Sequence, residues 1–120
     1  MQDPMTIAAR YIAVWNEADL SARRNALAEY WSAEASYVDP LMTGKGTDNI
    51  AQMIETARGQ FPGLGFTLSG KPDGFGDYVR FSWTLAPDGG APVGGGTDVV
   101  RLDEHGRIRE VVGFLDGVAP

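Results

Sequence analysis

The second half of the chain, from residue 65 onwards, alternates apolar and polar residues with a period of two, the spacing of a β-strand with two different faces. Segments rich in turn-forming residues, "KPDGFGD", "APDGGAP" and "DEHG", separate four such runs, near 65–71, 78–86, 93–103 and 107–116. The clearest run is the second, whose apolar face carries Val79, Phe81, Trp83 and Leu85. The pattern predicts four long strands that follow one another as an antiparallel meander.

The first half of the chain has helical spacing instead. Residues 5–18 form an amphipathic pattern with Tyr11 on the apolar face, Asp19 is placed to cap a second helix, and Thr47 is placed to cap a third. A short strand is predicted at 36–39, before the third helix. The stripes predicted to be buried in the second and third helices are Leu20, Leu27, Tyr30 and Trp31, and Ile50, Met53, Ile54 and Ala57.

These elements predict an α+β fold in which three N-terminal helices pack on a curved, mainly antiparallel sheet. The last strand, "RIREVVGFLDG", carries apolar residues on both of its faces. A sheet with one face in water does not need such a strand. We therefore expect the helices to cover one face and a second subunit to cover the other, which makes the protein a homodimer through the sheet.

Composition limits the kinds of partner. The 120 residues suffice for one core, so we expect a single domain over 1–120. A formal charge of −6 without a Lys/Arg block argues against nucleic acid and anionic membrane. With no cysteine and one histidine there is no disulfide framework or thiolate nucleophile, and we expect no metal or cofactor. The N-terminus lacks signal-peptide features and no long apolar run occurs, so we expect a cytoplasmic protein.

Asp39 and Tyr11 are candidates for chemistry, and each also has a simpler explanation. Pro40 restricts Asp39 to extended backbone at the end of a strand, which suits a base presented at a fixed angle. The same dipeptide also starts turns. A tyrosine on the apolar stripe of a helix is more often a core residue than a hydrogen-bond donor in a site.

Asp98 is the third candidate. It shares one strand face with Gly96, Val100 and Leu102. If that face is interior, burial disfavours the ionised carboxylate, raises its pKa and favours a protonated hydrogen-bond donor. If the face is exterior, Asp98 is a surface carboxylate paired with Arg80 or Arg101. Strand parity alone leaves both orientations open.

Four segments, "ARYIAVWN", "ASYVDPLMTGKGTDNI", "TDVVRLDEHGRI" and "VVGFLD", together resemble the nuclear-transport-factor-two-like superfamily, in particular its SnoaL-like and ketosteroid-isomerase-like branches. The resemblance runs from Tyr11 to Asp116 and implies a conical α+β scaffold that surrounds a hydrophobic pocket. Because this scaffold hosts isomerases, cyclases, dehydratases, hydrolases and binding modules, it does not by itself decide the function.

Within that resemblance, Tyr11, Asp39 and Asp98 match the three catalytic positions of ketosteroid isomerases. The match implies that Asp39 is a general base and that Tyr11 and a protonated Asp98 stabilise the enolate oxygen, as in the mechanism of ketosteroid isomerases. The family's supporting tyrosine in the third helix is replaced by Ile54, so we expect Tyr11 to lack its hydrogen-bonded neighbour. The glycine run 94–96 is also unlike a tightly packed steroid wall and can mark a bulge or a flexible lip.

Other branches of the superfamily fit less well. Epoxide-hydrolase-like members carry an Arg and an Asp two residues apart on a strand, whereas Arg80 is followed at that spacing by Ser82. Scytalone-dehydratase-like members need pocket histidines, and the single His105 lies in a turn. A SnoaL-like cyclase remains open, since an aldol ring closure also passes through an enolate.

Two functions follow from these observations. The first is a cofactor-independent proton-transfer enzyme acting on a small apolar carbonyl compound. The second is a non-catalytic binding or dimerisation module of the same fold. Candidate pocket residues are Trp15, Met53, Ile54, Val111 and Leu115, with Phe61, Phe66 and Trp83 at the mouth or in the dimer interface.

Overall fold

The computed structural model describes residues 3–116, which contain three helices and six strands. In chain order these are α1 (Pro4–Asn16), α2 (Leu20–Tyr30), β1 (Trp31–Val38), β2 (Thr43–Lys45), α3 (Thr47–Gln60), β3 (Leu64–Phe75), β4 (Tyr78–Pro87), β5 (Gly94–Leu102) and β6 (Ile108–Leu115). Three helices packed on a mostly antiparallel sheet confirm the predicted fold class. The conical shape stays a prediction.

All six strands belong to one sheet, in the order β2-β1-β6-β5-β4-β3. The predicted meander is confirmed, because β3, β4, β5 and β6 pair antiparallel with their neighbours in sequence. β1 pairs in parallel with β6 and antiparallel with β2. The register places Tyr37 beside Val111 and Asp98 beside Gly113, which brings the end of β1 next to the centre of β5.

The first strand differs from its prediction. β1 begins at Trp31, which the helical spacing had placed in the second helix, and runs to Val38 instead of covering 36–39. Trp31 is 1% exposed and stacks on Tyr11 with 5.8 Å between ring centroids. Packing against another element therefore overrides the local helical pattern at this residue. The short strand β2 was not predicted.

Two other local predictions were wrong. α3 begins at Thr47 but its N-cap is Gly46, and no side chain caps the helix. β3 continues through "KPDG" to Phe75, where a turn at 71–77 was expected. A register shift between Ser69 and Asp73, with Gly70 at φ +76°, lets the strand bulge around the proline instead of ending.

The helices cover one face of the sheet and form the core with it. α1 lies over β3 and β4, while α2 and α3 pack on each other and on β1. The predicted cap of α2 is confirmed, since the Asp19 carboxylate accepts a hydrogen bond of 2.8 Å from Ala22 N–H. Arg23 of α2 is 0% exposed and donates to the carbonyls of Glu17 and Ala51 and, at 3.0 Å, to the carboxylate of Glu55. This buried guanidinium joins the three helices.

The opposite face of the sheet carries an apolar row. The register places Val38, Val112 and Val99 side by side on β1, β6 and β5, with Phe114 next to them. Phe114 is 58% exposed and Val38 46% exposed in the single chain. Among residues 3–116, no helix is both long and apolar enough to cross a bilayer.

Candidate active site

A cavity of about 250 Å³ lies between α1, the end of α3 and the helix-covered face of the sheet. Its walls are largely apolar and aromatic. The aromatic rings are close neighbours: Trp15 and Phe66 lie 5.2 Å apart between centroids, and Phe66 and Trp83 5.3 Å apart. The polar side chains among the lining residues are Tyr11, Tyr37, Asp39, Asp98 and Asp116. The lining residues therefore include three carboxylates and no Lys, Arg or His.

Asp39 lies where β1 ends and is held by three donors. Its Oδ1 accepts hydrogen bonds from the backbone N–H groups of Leu41 and Met42, at 2.8 and 2.9 Å. Its Oδ2 accepts one of 2.6 Å from the Tyr37 hydroxyl. The turn that begins at Pro40 thus holds the Asp39 carboxylate in place. The role of Asp39 in the turn is therefore compatible with a role in the site.

Asp98 faces the interior from the middle of β5 and is 2% exposed. Its Oδ2 accepts a hydrogen bond from the Tyr11 hydroxyl. Burial raises the pKa of Asp98 to about 6; the nearby donors Tyr11 and Trp83 lower it, and the charge of Asp39 raises it further. The Trp83 indole N–H lies near this carboxylate without reaching hydrogen-bond geometry. Asp98 therefore titrates between an ionised acceptor and a protonated donor close to neutral pH.

The surface alternative for Asp98 is excluded by the ion pairs of the two arginines. Arg80 binds Asp73 at 2.8 Å, and Arg101 binds Glu110 at 3.4 Å. Both pairs lie on the other face of the sheet. The alternation predicted for β5 is confirmed, with Asp98 on the buried face.

Gly113 allows the two carboxylates to approach each other. A Cβ atom at this residue would stand 2.9 Å from Asp98 Oδ1, 3.2 Å from Asp39 Cβ and 3.5 Å from the Tyr37 hydroxyl. Any larger side chain would occupy the space in which these groups meet. The glycine within the apolar strand "VVGFLD" therefore marks a close approach of side chains.

Tyr37 lies between Asp39 and the Tyr11–Asp98 pair. Its pKa is raised, first by burial, then by the charge of Asp98 and by its hydrogen bond to Asp39, while its interaction with the Tyr11 hydroxyl lowers it. The pKa of Tyr11 is likewise raised by burial and by Asp98. The expectation based on Ile54 stays a prediction: among the described residues the Tyr11 hydroxyl donates to Asp98, and the Tyr37 hydroxyl donates to Asp39.

Comparison with known proteins gives the family. The family model described as "SnoaL-like domain" matches residues 8–111. The chain belongs to the SnoaL-like family. No curated protein sequence matches the chain.

Solved structures agree with this SnoaL-like assignment. A protein from Agrobacterium tumefaciens, provisionally described as an isomerase of the SnoaL-like family, is 53% identical over 98% of this chain and 100% of its own, with a TM-score of 0.93. A protein from Sinorhizobium meliloti, provisionally described as a polyketide cyclase, is 17% identical over 93% of this chain and 99% of its own, with a TM-score of 0.69. A SnoaL-like protein of unknown function from Burkholderia thailandensis is 16% identical over 95% of both chains, with a TM-score of 0.74. The last two show the fold alone.

The SnoaL-like cavity brings together some of the predicted pocket residues and not others. Trp15 and Leu115 line it, as do Phe61, Phe66 and Trp83. Ile54 and Val111 do not line it, and both are 0% exposed in the core. Val111 shares a face of β6 with Gly113 and Leu115 but lies deeper in the core than the cavity. Met53 lies in a separate shallow groove between β2 and α3. Residues of the site that the sequence reasoning missed are Tyr37, Gly113 and Asp116.

One glycine of the run on β5, Gly96, lies against an aromatic ring. A Cβ at Gly96 would stand 2.7 Å from Trp83 Cζ2, so the indole lies directly over this glycine. The cross-strand register pairs the same two residues. Gly96 therefore gives Trp83 the space to form one wall of the cavity.

Proposed function

We propose that this SnoaL-like protein is a cofactor-independent enzyme that transfers protons on a small apolar carbonyl compound. Asp39 acts as the general base, and Tyr11 and a protonated Asp98 stabilise the enolate oxygen. The observation that supports this is the meeting of two carboxylates and two tyrosine hydroxyls at one largely apolar cavity. Both an isomerase of the ketosteroid-isomerase kind and a SnoaL-like cyclase pass through such an enolate.

The reaction needs Asp98 in its protonated form. In the structure the Tyr11 hydroxyl donates to Asp98, so its proton is not directed to a substrate. Once Asp98 carries a proton, it no longer needs the one from Tyr11, and both groups can donate to an oxygen on which negative charge develops. Asp39, which is only partly buried, takes the proton from the carbon next to that carbonyl and returns it to another carbon.

The size and charge of the cavity favour a neutral and compact substrate. A volume of about 250 Å³ lies below the ~300–1,000 Å³ typical of pockets for drug-sized ligands. The aromatic walls suit a flat ring, and three carboxylates without a lining cation oppose an anionic ligand. We therefore infer that one ring carrying a ketone or enone fills the cavity and that any remainder extends past Leu41 and Val93 at its mouth.

Exchange of the protons next to a carbonyl tests this proposal without knowledge of the natural product. A panel of cyclic ketones and enones is incubated with the protein in D₂O, and loss of the α-proton signals is followed by NMR. Asp39→Asn should lower the exchange rate by ~10²–10⁴, the usual contribution of a general base. Asp88→Asn, in the exposed 87–90 turn, is the control and should exchange like the wild type. Wild-type exchange no faster than buffer over the whole panel, or full activity in Asp39→Asn, would refute the proposal.

A second candidate function is non-catalytic binding of the same ligands. It is favoured by the hydrogen bonds of the unliganded cavity, since Asp39 accepts three and Tyr11 donates to Asp98. A site whose polar groups are already satisfied can hold an apolar ligand without reacting with it. Saturable binding of a ketone, observed by NMR shifts of Trp15 and Trp83 without proton exchange, would support this function.

We also propose that a second copy of the chain covers the apolar row on the outer face of the sheet. The row of Val38, Val112 and Val99 with Phe114 is bordered by the ion pairs Arg80–Asp73 and Arg101–Glu110. An apolar centre with a charged rim, repeated on both copies by a two-fold axis, is the pattern of a homodimer interface. Light scattering should give twice the chain mass for the wild type and the monomer mass for Phe114→Glu. Met5→Glu, an exposed apolar residue of α1, should remain dimeric.

A further inference from the structure

Two tyrosines and two carboxylates of the site form two hydrogen-bonded pairs that adjoin each other. In one pair the Tyr37 hydroxyl donates to Asp39 Oδ2 at 2.6 Å, and in the other the Tyr11 hydroxyl donates to Asp98 Oδ2. The pairs meet beside Gly113, where a Cβ atom would stand 2.9 Å from Asp98 Oδ1 and 3.5 Å from the Tyr37 hydroxyl. Each tyrosine proton is directed to the carboxylate of its own pair.

One additional proton can connect the two pairs. In the unliganded site, a protonated Asp98 can donate to the Tyr11 oxygen, which frees the Tyr11 proton to point at the Tyr37 oxygen. Tyr37 continues to donate to Asp39. The four groups then hold three hydrogen bonds that all point from Asp98 towards Asp39, and aligned hydrogen bonds strengthen one another in a buried environment.

We propose that Tyr37 joins Asp98, Tyr11 and Asp39 into one chain that shares a single proton between the two carboxylates. Transfer along the chain breaks the O–H bonds of Asp98, Tyr11 and Tyr37 and forms new ones on Tyr11, Tyr37 and Asp39. One proton leaves Asp98 and one arrives at Asp39, so the number of protons is unchanged. Tyr37 is in this sense a positioning residue that acts through both carboxylates.

Three of the four groups are buried together. Asp98, Tyr11 and Tyr37 are 2%, 1% and 4% exposed, whereas Asp39 is only partly buried. The Cβ atom of a residue larger than glycine at 113 would stand within 3.5 Å of both Asp98 Oδ1 and the Tyr37 hydroxyl, so these groups border one small space. A proton on Asp98 is therefore held next to the hydroxyl group that donates to Asp39.

The other groups around Tyr37 do not interrupt the chain. α1 contributes Tyr11 and the ring of Trp15, whose centroid lies 5.8 Å from that of Tyr37. β5 contributes Asp98, and Asp116 lies beyond β6 among the cavity-lining residues. On α3, the guanidinium of Arg58 donates to the Trp15 carbonyl at 2.8 Å. The lining residues from β4 are Trp83 and Leu85, which are uncharged.

Titration of the aspartate carboxyls by carbon-13 NMR tests the chain. In the wild type, the Asp98 carboxyl should titrate in two steps with midpoints more than about one pH unit apart, as a strongly coupled group does. In Tyr37→Phe, which keeps the ring and loses the hydroxyl, only the direct repulsion between the carboxylates remains, so the two Asp98 midpoints should lie closer together. Tyr30→Phe, whose ring packs on Arg10 outside the cavity, is the matched control and should titrate like the wild type.

The same experiment can contradict the proposal. The two carboxylates also repel each other directly, and that coupling does not need Tyr37. Asp98 midpoints that lie as far apart in Tyr37→Phe as in the wild type would therefore show that the hydroxyl connects nothing. If this variant does not fold, the Tyr37 hydroxyl proton of the wild type decides, because its NMR signal should move at both midpoints, and a signal that moves at one only would overturn the chain.

The chain rests on the proposed function only for its use in catalysis, and the two can fail separately. Proton exchange on ketones with single-step carboxyl titrations would support the enzyme and reject the chain. A separation of the Asp98 midpoints that depends on Tyr37, in a protein that exchanges no ketone proton, would support the chain and reject the enzyme.

Discussion

The buried carboxylate of Asp98 should destabilise the fold at neutral pH, and Asp98→Asn should remove that cost. Burial raises the pKa of Asp98 from 3.8 to about 6, so the folded state binds this proton more tightly than the unfolded chain does. Stability should therefore be highest when Asp98 is protonated, should fall as the pH rises from about 4 to about 6, and should stay lower above that. The difference between the two pKa values corresponds to about 3 kcal/mol.

Asparagine resembles the protonated form of this side chain. Its oxygen can still accept the hydrogen bond from Tyr11, and it carries no charge into the interior. Urea unfolding of the wild type and of Asp98→Asn, measured at each pH between 3.5 and 8, gives the difference in unfolding free energy directly. We expect no difference near pH 3.5 and a gain of about 3 kcal/mol for Asp98→Asn at pH 8, or roughly 10 °C in Tm for a domain of this size.

Asp88→Asn is the control, since Asp88 is exposed in the turn at 87–90 and should show no such difference at any pH. Two results would refute the reasoning. A gain for Asp98→Asn that is equal at pH 3.5 and pH 8 would mean that its source is packing and not charge. A loss of stability at pH 8 would mean that the carboxylate is better stabilised by its donors than it is penalised by burial.

Two further pairs of substitutions examine the site and the helices. Gly113→Ala places a methyl group 2.9 Å from Asp98 Oδ1 and should cost ~1–3 kcal/mol in urea unfolding, whereas Gly59→Ala on α3, with open space around it, should gain ~0.5–1 kcal/mol. Equal effects of the two would show that the space beside Gly113 is not filled. Arg23→Met should cost about 2–3 kcal/mol because two backbone carbonyls and the 41%-exposed Glu55 lose their donor, while Glu55→Gln should cost less than ~1 kcal/mol. Equal losses would mean that the ion pair, and not the carbonyl contacts, stabilises the helices.

Elements held together by local pattern and neighbouring contacts were predicted well. The four strands of the meander are joined by turns whose residues are recognisable, and their alternation follows from burial of one face. Elements whose boundaries depend on contacts with distant parts of the chain were predicted poorly. β1 begins at Trp31 because its ring packs on Tyr11 of α1, and β2 exists because it pairs with β1 after the Asp39 turn. The helical or strand spacing of a short segment does not identify the distant residue or strand against which that segment packs.

The residues of the site likewise divide into those that the sequence predicted and those that it did not. The resemblance to ketosteroid isomerases selected Asp39, Tyr11 and Asp98, and the fold brings these three to one cavity. The importance of Tyr37 and Gly113 depends instead on the order of the strands, because only the placement of β6 between β1 and β5 sets them beside both carboxylates. The available sequence signals were a glycine inside an apolar strand and a tyrosine two residues before the aspartate, and neither is specific.

The charge state of Asp98 separates the two functions proposed for the cavity. With a pKa of about 6, Asp98 is mostly ionised at pH 8, and three carboxylates then line a small apolar space. An enolate forming there would add another negative charge where the low dielectric makes repulsion strong. A protonated Asp98 removes one charge and supplies a donor to the enolate oxygen. Proton exchange by an enzyme should therefore accelerate as the pH falls from 8 towards 6, whereas affinity for a neutral ketone involves no new charge and should change little over the same range.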